Sequence, residues 1–271
     1  MGGPDKHKGK IMRFEKLTLT ACAIVAAAAF SILQPTPLRA AEFTSDQKAE
    51  VGQIVHDYLI ANPEVIKLAV EELTKREKVA EAAAREKTLT KDNEKLFNSQ
   101  NQAVVGNPSG DVTIVEFFDY NCGYCKQSLT NVAKLIETDP KVRVVLKDLA
   151  ILGPDSTEAA EVATAVRIQL KGGPKFWDFH RKLLASRGHI GKAQALAAAK
   201  EVGVDIDQVE KDLKSPAIRE NLEEAANLAE SLHFNGTPSW VVGKEAIVGG
   251  VSYAELKSKV DNVRKCGKTT C

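Results

Sequence analysis

The feature that most constrains this chain is a pair of cysteines, Cys122 and Cys125, separated by Gly123 and Tyr124. The pair follows an apolar run at 112–120, which predicts a buried strand. A helix that begins near Cys122 directs its free N–H groups and the positive end of its dipole at that sulfur, which stabilises a thiolate. Two thiols in this position are suited to exchanging a disulfide rather than holding one permanently.

Two other uses of the cysteine pair stay open. Together with Cys266 and Cys271 it could complete a four-cysteine zinc site. Zinc ribbons, however, usually place their pairs in turns about 15–20 residues apart and not after a long buried strand. The pair could also be a purely structural disulfide. Redox exchange is the interpretation that we favour.

Residues 1–40 predict a secretory signal peptide. Basic residues precede an apolar stretch at 17–33, and a segment of proline and small residues then offers a cleavage site after Ala40. The apolar stretch is short for a membrane span. We therefore expect export. Met12 is an alternative start codon, and the residues that end at Cys22 weakly resemble a lipoprotein cleavage site.

Cysteine count and charge narrow the possible functions. Removal of the signal peptide takes Cys22 away and leaves four of the five cysteines. An even number in an exported protein suits two pairs, Cys122 with Cys125 and a structural disulfide between Cys266 and Cys271. The formal net charge is +1 and no basic run is present, so we expect no nucleic-acid partner. We also expect no metal ion and no cofactor.

Residues 41–98 predict a helical arm. A capping box at 44–47 opens one helix, and Asn62-Pro63-Glu64 starts a second. The apolar stripes of these helices have no core of their own, so we expect them to bind other copies and form a homo-oligomer, a dimer or a trimer. The alternative is that they pack on the main domain. The stripes consist of Val51, Ile54, Val55, Tyr58 and Leu59, and of Val65, Ile66, Ala69, Val70 and Leu73.

Residues 99–265 predict one mixed α/β domain, followed by a disulfide tail at 266–271. An entry strand near 104–105 and the strand at 112–118 precede a helix at 125–137. The next strand, at 142–146, is parallel to the one before it because a helix connects the two. A helical block at about 154–213, a helix at 218–232, two short strands at 239–242 and 246–248, and a helix at 253–263 complete the domain.

This order, with Gly236-Thr237-Pro238 before two antiparallel strands and a last helix, resembles the DsbA-like thioredoxin-fold oxidoreductases of the bacterial periplasm. The resemblance covers about 100–263. It implies an α/β thioredoxin fold with a helical insertion at about 154–213, a cis-proline at Pro238 that faces the cysteines, and a periplasmic location. The arm resembles the N-terminal oligomerisation segment of the suppressor-of-copper-sensitivity (ScsC) and Com-type members.

Each expected site residue has a physical role. Cys122, nearer the helix start, is the expected nucleophile, and Cys125 is expected to resolve the mixed disulfide. Glu116, on the buried strand, is expected to shuttle the proton of Cys125, unless it is a solvated edge residue. Lys147 is a candidate ion-pair partner of Glu116. A cis bond at Pro238 leaves the Thr237 backbone free to pair with an extended substrate.

These observations predict a thiol:disulfide interchange enzyme, and specifically an oligomeric disulfide isomerase acting on misfolded exported proteins. In the resembled family, Cys-Gly-Tyr-Cys with Thr-cis-Pro is typical of DsbC-type isomerases. Gly123 and Tyr124 add no positive charge, so we expect a less oxidising potential than that of DsbA. We expect a membrane redox partner. The alternatives are a dithiol oxidase recharged by a membrane partner and a non-catalytic copper- or zinc-binding module.

Overall fold

The structure is a computed structural model that describes residues 43–271. The predicted signal peptide, its cleavage site, Met12 and Cys22 lie outside the described residues. The chain divides into two units, one ending at Lys67 and the other spanning Leu68–Cys271. No helix of the described part of the chain is long and apolar enough to cross a membrane.

The first unit contains helix α1 (Ser45–Ala61) and the start of helix α2 (Glu64–Lys91). The expected capping box is present: the Gln47 amide donates to the Thr44 hydroxyl over 3.3 Å, and the Thr44 amide donates to the Gln47 side chain over 3.0 Å. No residue of α1 is buried. Val51, Ile54, Val55 and Tyr58 are all exposed in the single chain.

The second unit continues α2 and adds the short helix α3 (Asn93–Phe97) before its sheet. The strands are β1 (Ala103–Gly106), β2 (Val112–Phe118), β3 (Val142–Asp148), β4 (Ser239–Val242) and β5 (Glu245–Val248), in the spatial order β1-β3-β2-β4-β5. β2 and β3 run parallel, as predicted, with Val112 opposite Val142. β4 is antiparallel to β2 and to β5. The carboxyl end of β2 therefore lies between the end of β3 and the start of β4.

Helices cover both faces of the sheet. They are α4 (Gly123–Thr138), α5 (Pro154–Leu170), α6 (Gly173–Leu184), α7 (Lys192–Glu201), α8 (Ile206–Asp212), α9 (Pro216–Ser231) and α10 (Tyr253–Cys266). The predicted block at 154–213 is thus four helices, α5 to α8. Its first break falls at Gly172 and Gly173, whose positive φ angles of 73° and 76° separate α5 from α6, and Pro174 lies in the first turn of α6.

The side chains of β2 point alternately into two hydrophobic cores, one on each face of the sheet. Ile114 and Phe118 pack with α4 and the helical block in the larger core, whereas Val115 and Phe117 face the smaller one. Leu89 and Leu96 belong to the smaller core. These two residues lie within the predicted arm, so the part of the chain that packs on the sheet begins well before residue 99.

Candidate functional site

Cys122 occupies the N-cap position of α4, immediately beyond the end of β2. Its amide donates a 3.1 Å hydrogen bond to the Asp119 carbonyl oxygen, and its own carbonyl accepts one from the Lys126 amide at 3.1 Å. These bonds fix Cys122 at the first turn of the helix, where the free N–H groups and positive dipole end lie. Cys122 is 6% exposed and Cys125 is 0% exposed. Both carry free thiols.

The loop before β4 completes one side of the site. The Cys122 thiol donates a 3.1 Å hydrogen bond to the backbone carbonyl oxygen of Thr237. The peptide bond between Thr237 and Pro238 is cis. This loop reaches Cys122 because antiparallel β4 starts at the edge of the sheet where β2 ends.

Cys125 lies one turn deeper in α4. Burial raises the pKa of the Cys125 thiol far above its usual value, and the nearby charge of Glu116 raises it further. A buried thiol of this kind holds its proton until another group takes it. The two cysteines therefore differ in access, with only Cys122 reaching the surface.

Glu116 is 3% exposed, so it is not a solvated edge residue. It alternates with Ile114 and Phe118 and so faces the core that contains both cysteines. Its Oε1 atom is buried without a hydrogen-bond partner. Burial, with a smaller contribution from the charge of Cys122, raises the pKa of Glu116 to about 8. A carboxyl group in this state can exchange a proton near neutral pH.

The predicted pairing of Lys147 with Glu116 is wrong. Glu116 lies opposite Leu146 on β3, so Lys147 points to the other face of the sheet. There its ammonium group contacts the Glu224 carboxylate of α9 at 3.1 Å. Burial lowers the pKa of Lys147, and the Glu224 charge partly opposes that shift.

Asp119 is a site residue that the sequence analysis missed. It is 1% exposed, and its carboxylate accepts four hydrogen bonds, which come from the amides of Asn121, Ile151 and Leu152 and from the Ser156 hydroxyl. Its position three residues before Cys122 was the available signal. Three of these donors, on Ile151, Leu152 and Ser156, lie 32 to 37 residues along the chain, so the pattern of nearby residues does not reveal them.

At the C-terminus, Cys266 and Cys271 are joined by a disulfide with their Cα atoms 6.4 Å apart. The Asn262 side chain of α10 donates a 2.9 Å hydrogen bond to the Thr269 carbonyl, which holds the tail on the helix. Within residues 43–271, no group of three or more His, Cys, Asp or Glu side chains is placed to hold a metal ion.

Comparison with known proteins agrees with this geometry. Residues 113–261 match the DSBA-like thioredoxin domain family, and residues 47–80 match the copper resistance protein ScsC N-terminal domain. The chain is similar to a thioredoxin-like oxidoreductase from Silicibacter pomeroyi, with 41% identity and a TM-score of 0.60 over 64% of this chain and 98% of that one. A linker-deletion mutant of Proteus mirabilis ScsC is 25% identical, with a TM-score of 0.62 over 84% of this chain and 99% of that one.

Among curated proteins, the probable disulfide bond formation protein D of Bacillus cereus is 27% identical over 63% of this chain and 82% of its own length. A Na⁺/H⁺ antiporter of Salinispora arenicola is 28% identical over 58% of this chain, but this chain spans only 24% of the antiporter. The family match covers more than half of the chain and includes both cysteines, Glu116 and the Thr237–Pro238 loop. The chain therefore belongs to the DSBA-like thioredoxin domain family.

Proposed function

We propose that this protein is a thiol:disulfide oxidoreductase that acts on polypeptides through Cys122 and Cys125. The Cys122 thiolate attacks a substrate disulfide, one substrate sulfur leaves as a thiolate, and a mixed disulfide forms. Cys125 then attacks Cys122, releases the second substrate thiol and leaves a Cys122–Cys125 disulfide, so two electrons pass to the substrate. The observation that carries this proposal is the hydrogen bond from the Cys122 thiol to Thr237 beside a fully buried Cys125.

Glu116 has the role of proton acceptor for Cys125 in this scheme. Cys125 must lose its proton before it attacks, and its burial opposes that loss. Ionised Glu116 takes the proton and becomes the neutral acid, which suits its buried environment. With its pKa raised to about 8, Glu116 changes charge close to neutral pH.

Thr237 and Pro238 form the substrate side of the site. The Thr237 carbonyl accepts a hydrogen bond from Cys122 in the free protein, so it faces the sulfur that forms the mixed disulfide. An extended substrate segment beside Cys122 can donate a backbone N–H to this carbonyl in place of the thiol.

We further propose that the protein is an oligomeric disulfide isomerase of misfolded exported proteins in the periplasm, with a membrane partner that keeps its dithiol reduced. The exposed apolar side chains of α1 and α2 and the match of residues 47–80 to the ScsC N-terminal domain support oligomerisation. Linked active sites raise the effective concentration of a second dithiol around a bound substrate. The proposed oligomer contains two or three subunits.

A dithiol oxidase is the second candidate function. It is favoured by the similarity to proteins named for disulfide bond formation and thiol:disulfide interchange. An oxidase starts as the Cys122–Cys125 disulfide and donates it to substrate thiols, and a membrane oxidant then restores it. The same residues serve both reactions, and the redox partner decides the direction.

The choice between isomerase and oxidase is tested by comparing the reactivation of scrambled ribonuclease with the oxidation of reduced ribonuclease. The mature protein is expected to reactivate scrambled ribonuclease and to reduce insulin, and Cys122→Ser is expected to lose both activities. Insulin reduction without reactivation favours the oxidase. If the Cys122→Ser variant keeps both activities, the proposed chemistry is wrong. Metal analysis of the same sample tests the alternative of a metal-binding module.

A further inference from the structure

The residue immediately before Cys122 connects the dithiol to the helical block. The side chain of Asn121 donates a 2.9 Å hydrogen bond to the Ile190 carbonyl oxygen and accepts one of 2.8 Å from the Ile190 amide. It also donates to the Ser156 hydroxyl at the start of α5 over 3.0 Å. One side-chain amide thus bonds to both backbone groups of Ile190 and to a second helix of the block.

A further bond joins the same loop to α4 beyond Cys122. Ile190 lies in the loop at 185–191, between α6 and α7. Near the start of this loop, the Ser186 carbonyl oxygen accepts a 2.9 Å hydrogen bond from the ammonium group of Lys126. Lys126 lies about one helical turn after Cys122, and its amide donates to the Cys122 carbonyl over 3.1 Å. The loop is therefore attached to the chain both before and after Cys122.

These bonds fix the backbone conformation of Cys122. The Asn121 amide donates a 2.8 Å hydrogen bond to the Asp119 carboxylate, so both the main chain and the side chain of Asn121 are held. The Cys122 backbone is extended, with φ −77° and ψ 118°, and the helix begins at Gly123. A side chain at this position is directed to the free N–H groups of the first turn. A rotation of the Cys122 backbone would turn the sulfur away from these groups and from Thr237.

We propose that Asn121 is a positioning residue that holds Cys122 in its reactive conformation by docking the loop at 185–191 beside it. Its bonds to Ile190 and Ser156 restrict the peptide group that leads into Cys122. A nucleophile held in its reactive geometry does not have to be ordered when the substrate arrives. The inference rests on the proposed function, because the step that it assists is the attack of Cys122 on a disulfide.

Asn121→Ala removes all three side-chain bonds and so tests the inference. The Cys122 thiolate of the variant is expected to lie less often against the free N–H groups, which stabilises it less. Iodoacetamide at pH 6 is therefore expected to modify Cys122 of the reduced variant about tenfold more slowly than the wild type, as peptide mapping can measure. The equilibrium with glutathione is expected to shift about tenfold towards the Cys122–Cys125 disulfide, a reduction potential more negative by about 30 mV.

Asn131→Ala is the matched control on the same helix. Asn131 is half-buried like Asn121, and its side chain also donates a 3.0 Å hydrogen bond to a distant backbone carbonyl, that of Val251. It lies about 13 Å from Cys122 along the axis of α4. Asn131→Ala is expected to keep the alkylation rate and the glutathione equilibrium of the wild type. Equal shifts in the two alanine variants would show a general loosening of the fold and would overturn the inference.

Asn121→Gln provides a second test if Asn121→Ala does not fold. It keeps the amide group but moves it outwards by one methylene, so it cannot make the same three bonds and is expected to shift both measurements in the same direction. Wild-type values in the folded Asn121 variants would overturn the inference. Insulin reduction tests the proposed function separately. If the wild type reduces insulin no faster than Cys122→Ser, that function is wrong, whereas alkylation still measures whether Asn121 positions Cys122.

Discussion

The thiol of Cys122 and the carbonyl oxygen of Thr237 are 3.1 Å apart, although 115 residues separate them in the sequence. The contact arises because antiparallel β4 starts at the edge of the sheet where β2 ends. It places the accessible thiol against the loop that contains the cis-proline. Cys125, by contrast, has no exposed surface.

This difference predicts selective alkylation of Cys122 in the reduced protein. Burial and the Glu116 charge raise the pKa of Cys125, and each unit of increase lowers its thiolate fraction about tenfold. Iodoacetamide at neutral pH is therefore expected to modify Cys122 at least tenfold faster, as peptide mapping can measure. Cys122→Ser is expected to abolish insulin reduction and Cys125→Ser to trap mixed disulfides. Faster modification of Cys125 would reverse the assigned roles.

A second prediction concerns Glu116 and the rate of resolution. In the wild type, release of substrate from the mixed disulfide is expected to accelerate as pH rises towards 8, because Glu116 loses its proton in this range and becomes able to accept that of Cys125. Glu116→Gln keeps the shape of the side chain but cannot accept the proton. Stopped-flow measurement is expected to show slower release in the variant, without the pH dependence near 8. Identical pH profiles would exclude the shuttle.

The same substitution predicts a change in stability with a definite sign. Between its ordinary pKa of 4.5 and its folded value of about 8, Glu116 is protonated in the native protein and ionised in the unfolded chain. Its contribution to stability therefore falls as pH rises through this window, by about 1.4 kcal/mol per pH unit. Glu116→Gln is expected to gain stability relative to the wild type from pH 5 to pH 8 in urea unfolding. A constant difference would contradict the raised pKa.

Much of the fold could be predicted because local patterns determine it. The apolar runs at 112–118 and 142–146 indicate buried strands, and the helix between them requires a parallel pairing. The two-residue alternation of β2 places Glu116 on the same face of the sheet as Ile114 and Phe118. The face on which Lys147 lies depends instead on the length and register of β3. A shift of one residue moves a side chain to the other face, so Lys147 could not be assigned from sequence alone.

The partners of Asp119 could not be predicted for a different reason. Its carboxylate accepts from Ile151, Leu152 and Ser156, which approach it only after β3 and α5 have packed. A buried aspartate before the dithiol signals a need for donors but does not say which residues supply them. Tertiary contacts of this kind depend on the whole fold.

The buried pair of Lys147 and Glu224 predicts a large loss of stability when it is broken. The Lys147 side chain is 1% exposed and that of Glu224 is 17% exposed. Glu224→Gln leaves a buried ammonium without its counter-charge, which costs about 3–5 kcal/mol in comparable cases. Glu223→Gln, an exposed neighbour on the same helix, is the control and is expected to change the free energy of unfolding by less than about 0.5 kcal/mol. Equal effects of the two changes would contradict the burial of the pair.

The tail disulfide is expected to contribute modestly to stability. The ring closed by Cys266 and Cys271 is short, so replacing both with serine is expected to lower the free energy of unfolding by about 2 kcal/mol or less. Urea unfolding of the variant, compared with the oxidised wild type, measures this loss. Peptide mapping of the wild type is the complementary check, since free thiols in the tail or a bond to Cys122 would contradict the pairing.

The last prediction links α1 to the choice between isomerase and oxidase. Ile54 is 61% exposed on α1, in a stripe with Val51, Val55 and Tyr58. A glutamate at Ile54 places a charge in the proposed contact between copies, where desolvation without a partner is unfavourable. Ile54→Glu is therefore expected to give a monomer by light scattering that still reduces insulin but no longer reactivates scrambled ribonuclease. Ala49→Glu, which is exposed on the side of α1 away from the stripe, is the control and is expected to leave the oligomer intact. A full-length wild type that is monomeric would remove the reason for preferring the isomerase, because a single dithiol domain has no second site to act on a bound substrate.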